Sequence, residues 1–323
     1  MKTRLTELLK IEHPVMLAGM GGVSYSALTS AVSQAGGFGC LGASTMNQDQ
    51  MVEEISAVRK TTTKPFGVDL LTALPEGMER SVELLIEGGA SVFVAGLGVP
   101  ANVIAMCHES GVLVANMCGK VEHARRGVDA GVDFVIAQGT EAGGHTGQIA
   151  TMPLVPQIVD AVGSHVPVVA AGGIFDGRGL AAALMLGADG VWVGTRFIAT
   201  PEARSVVGFK ERILESKEDG TIVSRAFSGK PMRVLRNDTT TFYEEHPEEL
   251  QPFPAQLGKS YSNHTFHLGG DSNSKGVDPA TEGYPAGQVV GAINTLVPAG
   301  DLVSQFIEQA EHELAHGASL LDI

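Results

Sequence analysis

The chain has 323 residues, 44% of them hydrophobic and 41 of them glycine, and its 22 basic and 36 acidic residues give a formal charge of −14. That balance repels phosphate backbones and anionic membrane surfaces, so neither nucleic acid nor a membrane is expected as a partner, and the apolar content excludes a disordered chain. The three cysteines, Cys40, Cys107 and Cys118, lack CxxC or metal-like spacing. Together with the lack of any apolar run of about 18 residues, this predicts a cytoplasmic protein with no disulfide framework and no metal.

In chain order, eight short apolar runs each end in turn residues: VMLAGM (15–20), FGCLGA (38–43), FGVDLL (66–71), SVFVAGLG (91–98), VLVANM (112–117), FVIAQG (134–139), PVVAAGG (167–173) and GVWVGTRF (190–197). Both faces of each run are apolar, as in parallel strands covered on two sides. Between them lie amphipathic stretches that read as helices: Ser26 to Ala35, Asn47 to Arg59, Met78 to Glu87, Pro100 to Glu109, Lys120 to Ala130, Pro153 to Val162 and Gly177 to Leu186. Eight strand–helix units at even spacing predict a (β/α)8 TIM barrel, whose chemistry should sit in the glycine-bearing loops at the C-terminal ends of the strands.

The rhythm breaks after residue 200. From 201 to 282 the chain is charged and irregular, and is expected to form an inserted lid or substrate domain between strand eight and the last helices. The segment from 283 to 323 returns to helical periodicity and should rejoin residues 1–200 as part of the barrel, with Ala286 to Gln288 opening a helix near the site. Because its loops lack a continuous apolar pattern, the insertion is expected to open at low cost.

AAGGIFDGRG (170–179) and GADGVWVGTRF (187–197) follow strands seven and eight, where barrels bind phosphorylated cofactors on free backbone N–H groups. Gly172, Gly173, Gly194 and Thr195 fall at those places. EAGGHTG (141–147) follows strand six, so His145 should overlook the barrel mouth, where it can donate a hydrogen bond or take a proton. Asp69 and Gln138 end strands three and six and can aim polar atoms into the mouth; capping of the next turn is an equal alternative for Asp69. His264 and His267 have i, i+3 spacing but no third ligand, and Trp192 reads as core filling.

HPVMLAGM (13–20), PFGVDL (65–70), EAGGHTG and GADGVWVGTRF, in this order and spacing, resemble the nitronate monooxygenase family (formerly 2-nitropropane dioxygenases) and its relatives, the FMN-dependent enoyl-acyl-carrier-protein reductases. The likeness covers nearly the whole chain. It implies FMN held by Gly19, Met20, Asp69, Gln138, Gly143, Gly173, Trp192, Val193, Gly194 and Thr195, with His145 at the place of the family's active-site histidine. In one branch a nitronate reduces FMN and O2 then reacts; in the other, NAD(P)H reduces FMN and hydride passes to an enoyl thioester. The leading expectation is a nitronate monooxygenase oxidising small alkyl nitronates, the alternative an NAD(P)H-dependent enoyl thioester reductase, and the third a flavin- or phosphate-binding barrel without turnover. A homodimer is compatible with each. The sequence departs from the resemblance at Leu17, where the family often has Gln, at Asp69, where it often has Asn, and in SGKPMRVLRN and YSNHTFHLGG.

Overall fold

A computed structural model describes residues 1–71, 78–96, 98 and 100–321; Leu97 of the fourth apolar run lies outside the described residues. Eight parallel strands form the barrel: β1 (Val15–Leu17), β2 (Gly39–Gly42), β3 (Phe66–Leu70), β4 (Val92–Ala95), β5 (Leu113–Cys118), β6 (Phe134–Gln138), β8 (Val168–Ala171) and β9 (Gly190–Val193). A short strand, β7 (Gly144–His145), intervenes in the chain and belongs to another sheet. The barrel order runs β1-β9-β8-β6-β5-β4-β3-β2, and a parallel bridge between Met16 and Phe38 brings the two ends together.

Strict alternation along each strand divides the core in two. Met16, Phe38, Val94, Phe134, Ile136 and Trp192 point inward and fill the barrel, which Leu5 and Leu9 of the helix Arg4–Leu9 help to pack. Val15, Leu17, Val68, Phe93, Val135 and Val193 point outward against the helices. Seven helices follow the strands close to the expected spans, from Ser26–Gln34 to Gly177–Met185. The sixth starts earlier than expected, at Thr151 rather than Pro153, because proline is tolerated in a first turn whose N–H groups have no partner within the helix. The last long helix, Ala299–Ser319, packs against both Gly177–Met185 and Ser26–Gln34. A Cβ on Gly177 would meet the Phe306 carbonyl oxygen at 2.4 Å, so that contact demands glycine.

After β9 the chain builds β10 (Thr221–Ser224), β11 (Met232–Leu235) and the helices Phe209–Glu215, Asp238–Glu245 and Ala255–Ser262. β10 pairs with β11, and β11 pairs antiparallel with β7, so the insertion and the barrel share a three-stranded sheet. The insertion also has a core of its own, built from Ala226, Phe227, Met232, Val234, Tyr243 and Phe266. This differs from the loose loops read from its composition. Its apolar residues are scattered in sequence and converge only through the β10–β11 hairpin and the return of Phe266. Among the described residues, no helix is long and apolar enough to cross a membrane.

Candidate active site

The C-terminal ends of the barrel strands and the underside of the insertion enclose a cavity of about 980 Å³. Gly19, Met20, Asp69, Gln138, Gly143, His145, Gly172, Gly173, Trp192, Gly194 and Thr195 all line it. Val193 does not: the alternation that points Trp192 inward turns the Val193 side chain toward the helices, and its carbonyl accepts the Ala18 N–H at 2.9 Å. Leu17 faces outward for the same reason, so its departure from the family pattern does not touch the mouth.

The glycines of the site have three different causes. Gly19 and Gly143 are required by packing, since a Cβ would lie 2.1 Å from Asp69 Cβ in the first case and 2.7 Å from the Ala286 carbonyl carbon in the second. Gly144, Gly172 and Gly173 have φ of 75°, 95° and 74°, a left-handed backbone that other residues rarely adopt. At Gly194 an added Cβ would stand 3.4 Å from Met20 Sδ and 3.6 Å from Ala18 Cβ, ordinary contact. Protein packing therefore does not demand glycine there, and the missing side chain keeps open a patch of the cavity beside the Gly172–Gly173 turn.

His145 stands on β7 opposite Met232, and its Nε2 lies 2.9 Å from Ser228 Oγ. The Gln138 side-chain amide donates to the His145 carbonyl at 2.9 Å, so Gln138 fixes the backbone of this loop. The ring is open to the cavity but walled by protein on most sides. This desolvation, followed by the positive charge of Lys230, lowers its pKa and leaves the imidazole neutral at pH 7. The single Ser228 hydroxyl proton serves either His145 Nε2 or the Lys230 carbonyl, 3.2 Å away. In the first case Nδ1 carries a proton to donate; in the second Nδ1 is a base.

Asp69 lies on the floor of the cavity, under Gly19. Burial raises its carboxyl pKa to about 8, so at pH 7 it is mostly a neutral acid. A protonated Asp69 resembles the asparagine of the family pattern in carrying a donor and no charge, so it does not repel an anion beside it.

Three supporting contacts, made by Glu141, Arg233 and Thr195, have no local pattern in the sequence. Both Glu141 carboxylate oxygens accept from Thr151 N, at 3.0 and 2.9 Å, and Oε2 also accepts from Thr151 Oγ1 at 2.9 Å, closing the loop after β6 onto the next helix. Arg233, buried in β11, donates to the Thr140 carbonyl at 3.0 Å. Thr195 Oγ1 accepts from Gly287 N at 2.9 Å, tying the cavity edge to the 3-10 turn Gln288–Ala292, where a helix start was expected. The two histidines of the insertion stack at 5.9 Å, and His267 Nδ1 lies 2.6 Å from Glu282.

The family model for nitronate monooxygenase matches residues 2–83 and 72–309, two overlapping stretches that span the barrel strands and the insertion. The chain belongs to the nitronate monooxygenase family. Within that frame it is 45% identical over 239 residues to the (3aS,4S,5R,7aS)-5-hydroxy-7a-methyl-1-oxo-octahydro-1H-indene-4-carboxyl-CoA dehydrogenase of Mycobacterium tuberculosis, covering 74% of this chain and 67% of that protein. FabK from Thermotoga maritima superposes with a TM-score of 0.88 at 33% identity, covering 99% of both chains. Nitroalkane oxidase from Streptomyces ansochromogenes gives 0.86 at 31% identity, covering 97% of this chain and 99% of the other. These likenesses make this member of the nitronate monooxygenase family an oxidoreductase with the TIM-barrel fold.

Proposed function

We propose that the chain is an FMN-dependent oxidoreductase that uses NAD(P)H to reduce the carbon–carbon double bond of an enoyl thioester. The observation that carries this reading is the apolar wall that the insertion adds to the cavity of His145. Met232, Phe253, Leu257 and Phe266 of the insertion line the same cavity as the loops of the barrel mouth. The cavity of about 980 Å³ has to hold the flavin as well as the substrate, so the apolar wall rather than the volume distinguishes the substrates. An alkyl nitronate of a few atoms leaves such an apolar wall unfilled, whereas an acyl chain covers it. The relative that acts on a bicyclic carboxyl-CoA supports the same substrate class.

The residues fit FMN. The consecutive left-handed glycines Gly172 and Gly173, and the space at Gly194, form a concave backbone patch at the two strands where barrels bind phosphate. Asp69, Gln138 and Trp192 border the mouth nearby. Bound there, the flavin supplies two-electron transfer between a nicotinamide and the substrate. His145 would serve the proton side of that addition, its neutral ring hydrogen-bonding the thioester carbonyl or moving the proton that the α-carbon takes up. Asp69, uncharged, donates a hydrogen bond without opposing negative charge on its neighbours.

Oxidation of nitronates is the second reading, favoured by the neutral Asp69, which tolerates an anionic substrate. A paired turnover assay separates the two. NADPH oxidation that depends on a crotonyl thioester supports the first; O2 uptake with a nitronate and no nicotinamide supports the second.

A further inference from the structure

The chain carries a formal charge of −14, yet Lys120, Arg126 and Lys230 bring positive charge to its cavity from two sides. Lys120, His123 and Arg126 line the cavity from the loop after β5 and the helix Val121–Ala130, and Lys230 lines it from the insertion. The carboxylates that share the lining are occupied or neutral. Glu141 accepts from Thr151, Glu282 from the backbone and ring of His267, and Asp69 is held mostly protonated. Arg126 is paired with the exposed Glu122 one turn away on its own helix.

The cations bracket the catalytic loop. Gly119, next to Lys120, approaches Gly147, whose Cα would lie 3.8 Å from a Cβ at that position. On the other side the Thr146 N–H donates to the Pro231 carbonyl at 3.4 Å, which places Lys230 beside His145. The Lys230 ammonium sits 4.2 Å over the Phe253 ring, so part of the apolar wall holds it. Lys120 is also the N-cap of a ten-residue helix with no side-chain cap, which leaves first-turn N–H groups to add to the positive field.

From this arrangement we infer a second phosphate-binding subsite, on Lys120, His123, Arg126 and Lys230, that takes the nucleotide diphosphate of a cosubstrate while its reactive end lies at His145. It is separate from the glycine patch proposed for the FMN phosphate, and it rests on the thioester reading. Two cosubstrates carry this chemistry, the coenzyme A part of an acyl thioester and the nicotinamide dinucleotide. A subsite on flexible, exposed cations predicts modest losses per charge that weaken with salt.

The test uses the flavin-loaded enzyme and its Lys120→Ala, Arg126→Ala and Lys230→Ala variants. Calorimetric titration with desulfo-coenzyme A and with NADPH reads binding without turnover. In parallel, kcat/KM is compared for crotonyl-coenzyme A and for the N-acetylcysteamine thioester, which has no phosphate. The inference expects coenzyme A binding to weaken roughly twofold to fivefold per charge removed, and the preference for the coenzyme A thioester over the truncated one to fall by the same factor. If the loss falls on NADPH alone, the subsite stands and its occupant is the nicotinamide dinucleotide. Unchanged affinity for both ligands in all three variants overturns it. Retained coenzyme A or NADPH binding in an enzyme that turns over nitronates but no thioester would sink the reading of function and leave the subsite in place.

Discussion

His145 and Met232 face each other across the antiparallel pair that joins the loop after β6 to the insertion. The histidine is therefore positioned by two bodies at once: Gln138 of the barrel holds its carbonyl, and Ser228 of the insertion holds its ring. Removing the Ser228 hydroxyl should loosen the ring without removing it. Ser228→Ala is expected to keep flavin and lower kcat by roughly threefold to tenfold, about the worth of one net hydrogen bond of 0.5–1.5 kcal/mol. Unchanged kcat with a normal absorption spectrum would show that the contact does not orient the ring.

Asp69 makes stability fall as pH rises. Its carboxyl is protonated in the folded protein up to about pH 8 but ionised in the unfolded chain above about pH 4, so folding takes up a proton between those values. The unfolded state binds fewer protons there, so the slope of stability against pH is negative, and it flattens above pH 8 where both states are ionised. Asp69→Asn should remove this contribution and gain at least about 1 kcal/mol relative to wild type between pH 5 and pH 9. Thermal melts of both proteins across that range check it, and parallel profiles would contradict it.

Gly194 separates a cofactor role from a packing role. An added Cβ meets only ordinary contacts inside the protein, so Gly194→Val is expected to fold with a near-native melting temperature while its branches reach into the cavity. Flavin content after purification is expected to fall to a small fraction of wild type. Full flavin occupancy in a folded Gly194→Val protein would remove this patch from the cofactor site.

At the opposite end of the barrel, Arg4 grips Asp189 through two hydrogen bonds of 3.0 and 2.8 Å, and the same carboxylate accepts the Val168 N–H at 3.0 Å. Asp189→Asn should lower stability by about 1–3 kcal/mol, toward the low end because Arg4 is half exposed, and leave kcat unchanged. Denaturant titration and steady-state rates together test that split between the stabilising and the reactive ends.

The barrel was readable because each strand is an apolar run on both faces, and parallel strands buried on both sides leave that signature. The glycine loops after β8 and β9 and the histidine after β6 were readable because they sit at strand ends that the fold brings to one mouth. The Val193 side chain lies outside the cavity because adjacent residues in a strand face opposite ways, an alternation that a block motif does not show. Glu141 and Thr195 stand within legible motifs, but their anchoring contacts, and Arg233 altogether, were not legible. Glu141, Arg233 and Thr195 act through partners 10, 93 and 92 residues away, and no local pattern marks such pairs. The insertion's core leaves no local pattern for the same reason, since Phe227 and Phe266 meet only after the chain has turned back, with ring centroids 5.6 Å apart.

The central claim is that this cavity reduces a thioester with His145 serving the proton side of the addition. Its most direct test is anaerobic stopped-flow mixing of the reduced, flavin-loaded enzyme with crotonyl-coenzyme A, followed at the flavin band, for wild type and His145→Ala. The expected result is thioester-dependent flavin reoxidation in wild type and a rate lower by about 10²–10⁴ in His145→Ala at equal flavin content. Wild-type enzyme that stays reduced with the thioester, or a His145→Ala variant that reoxidises at the wild-type rate, would contradict it.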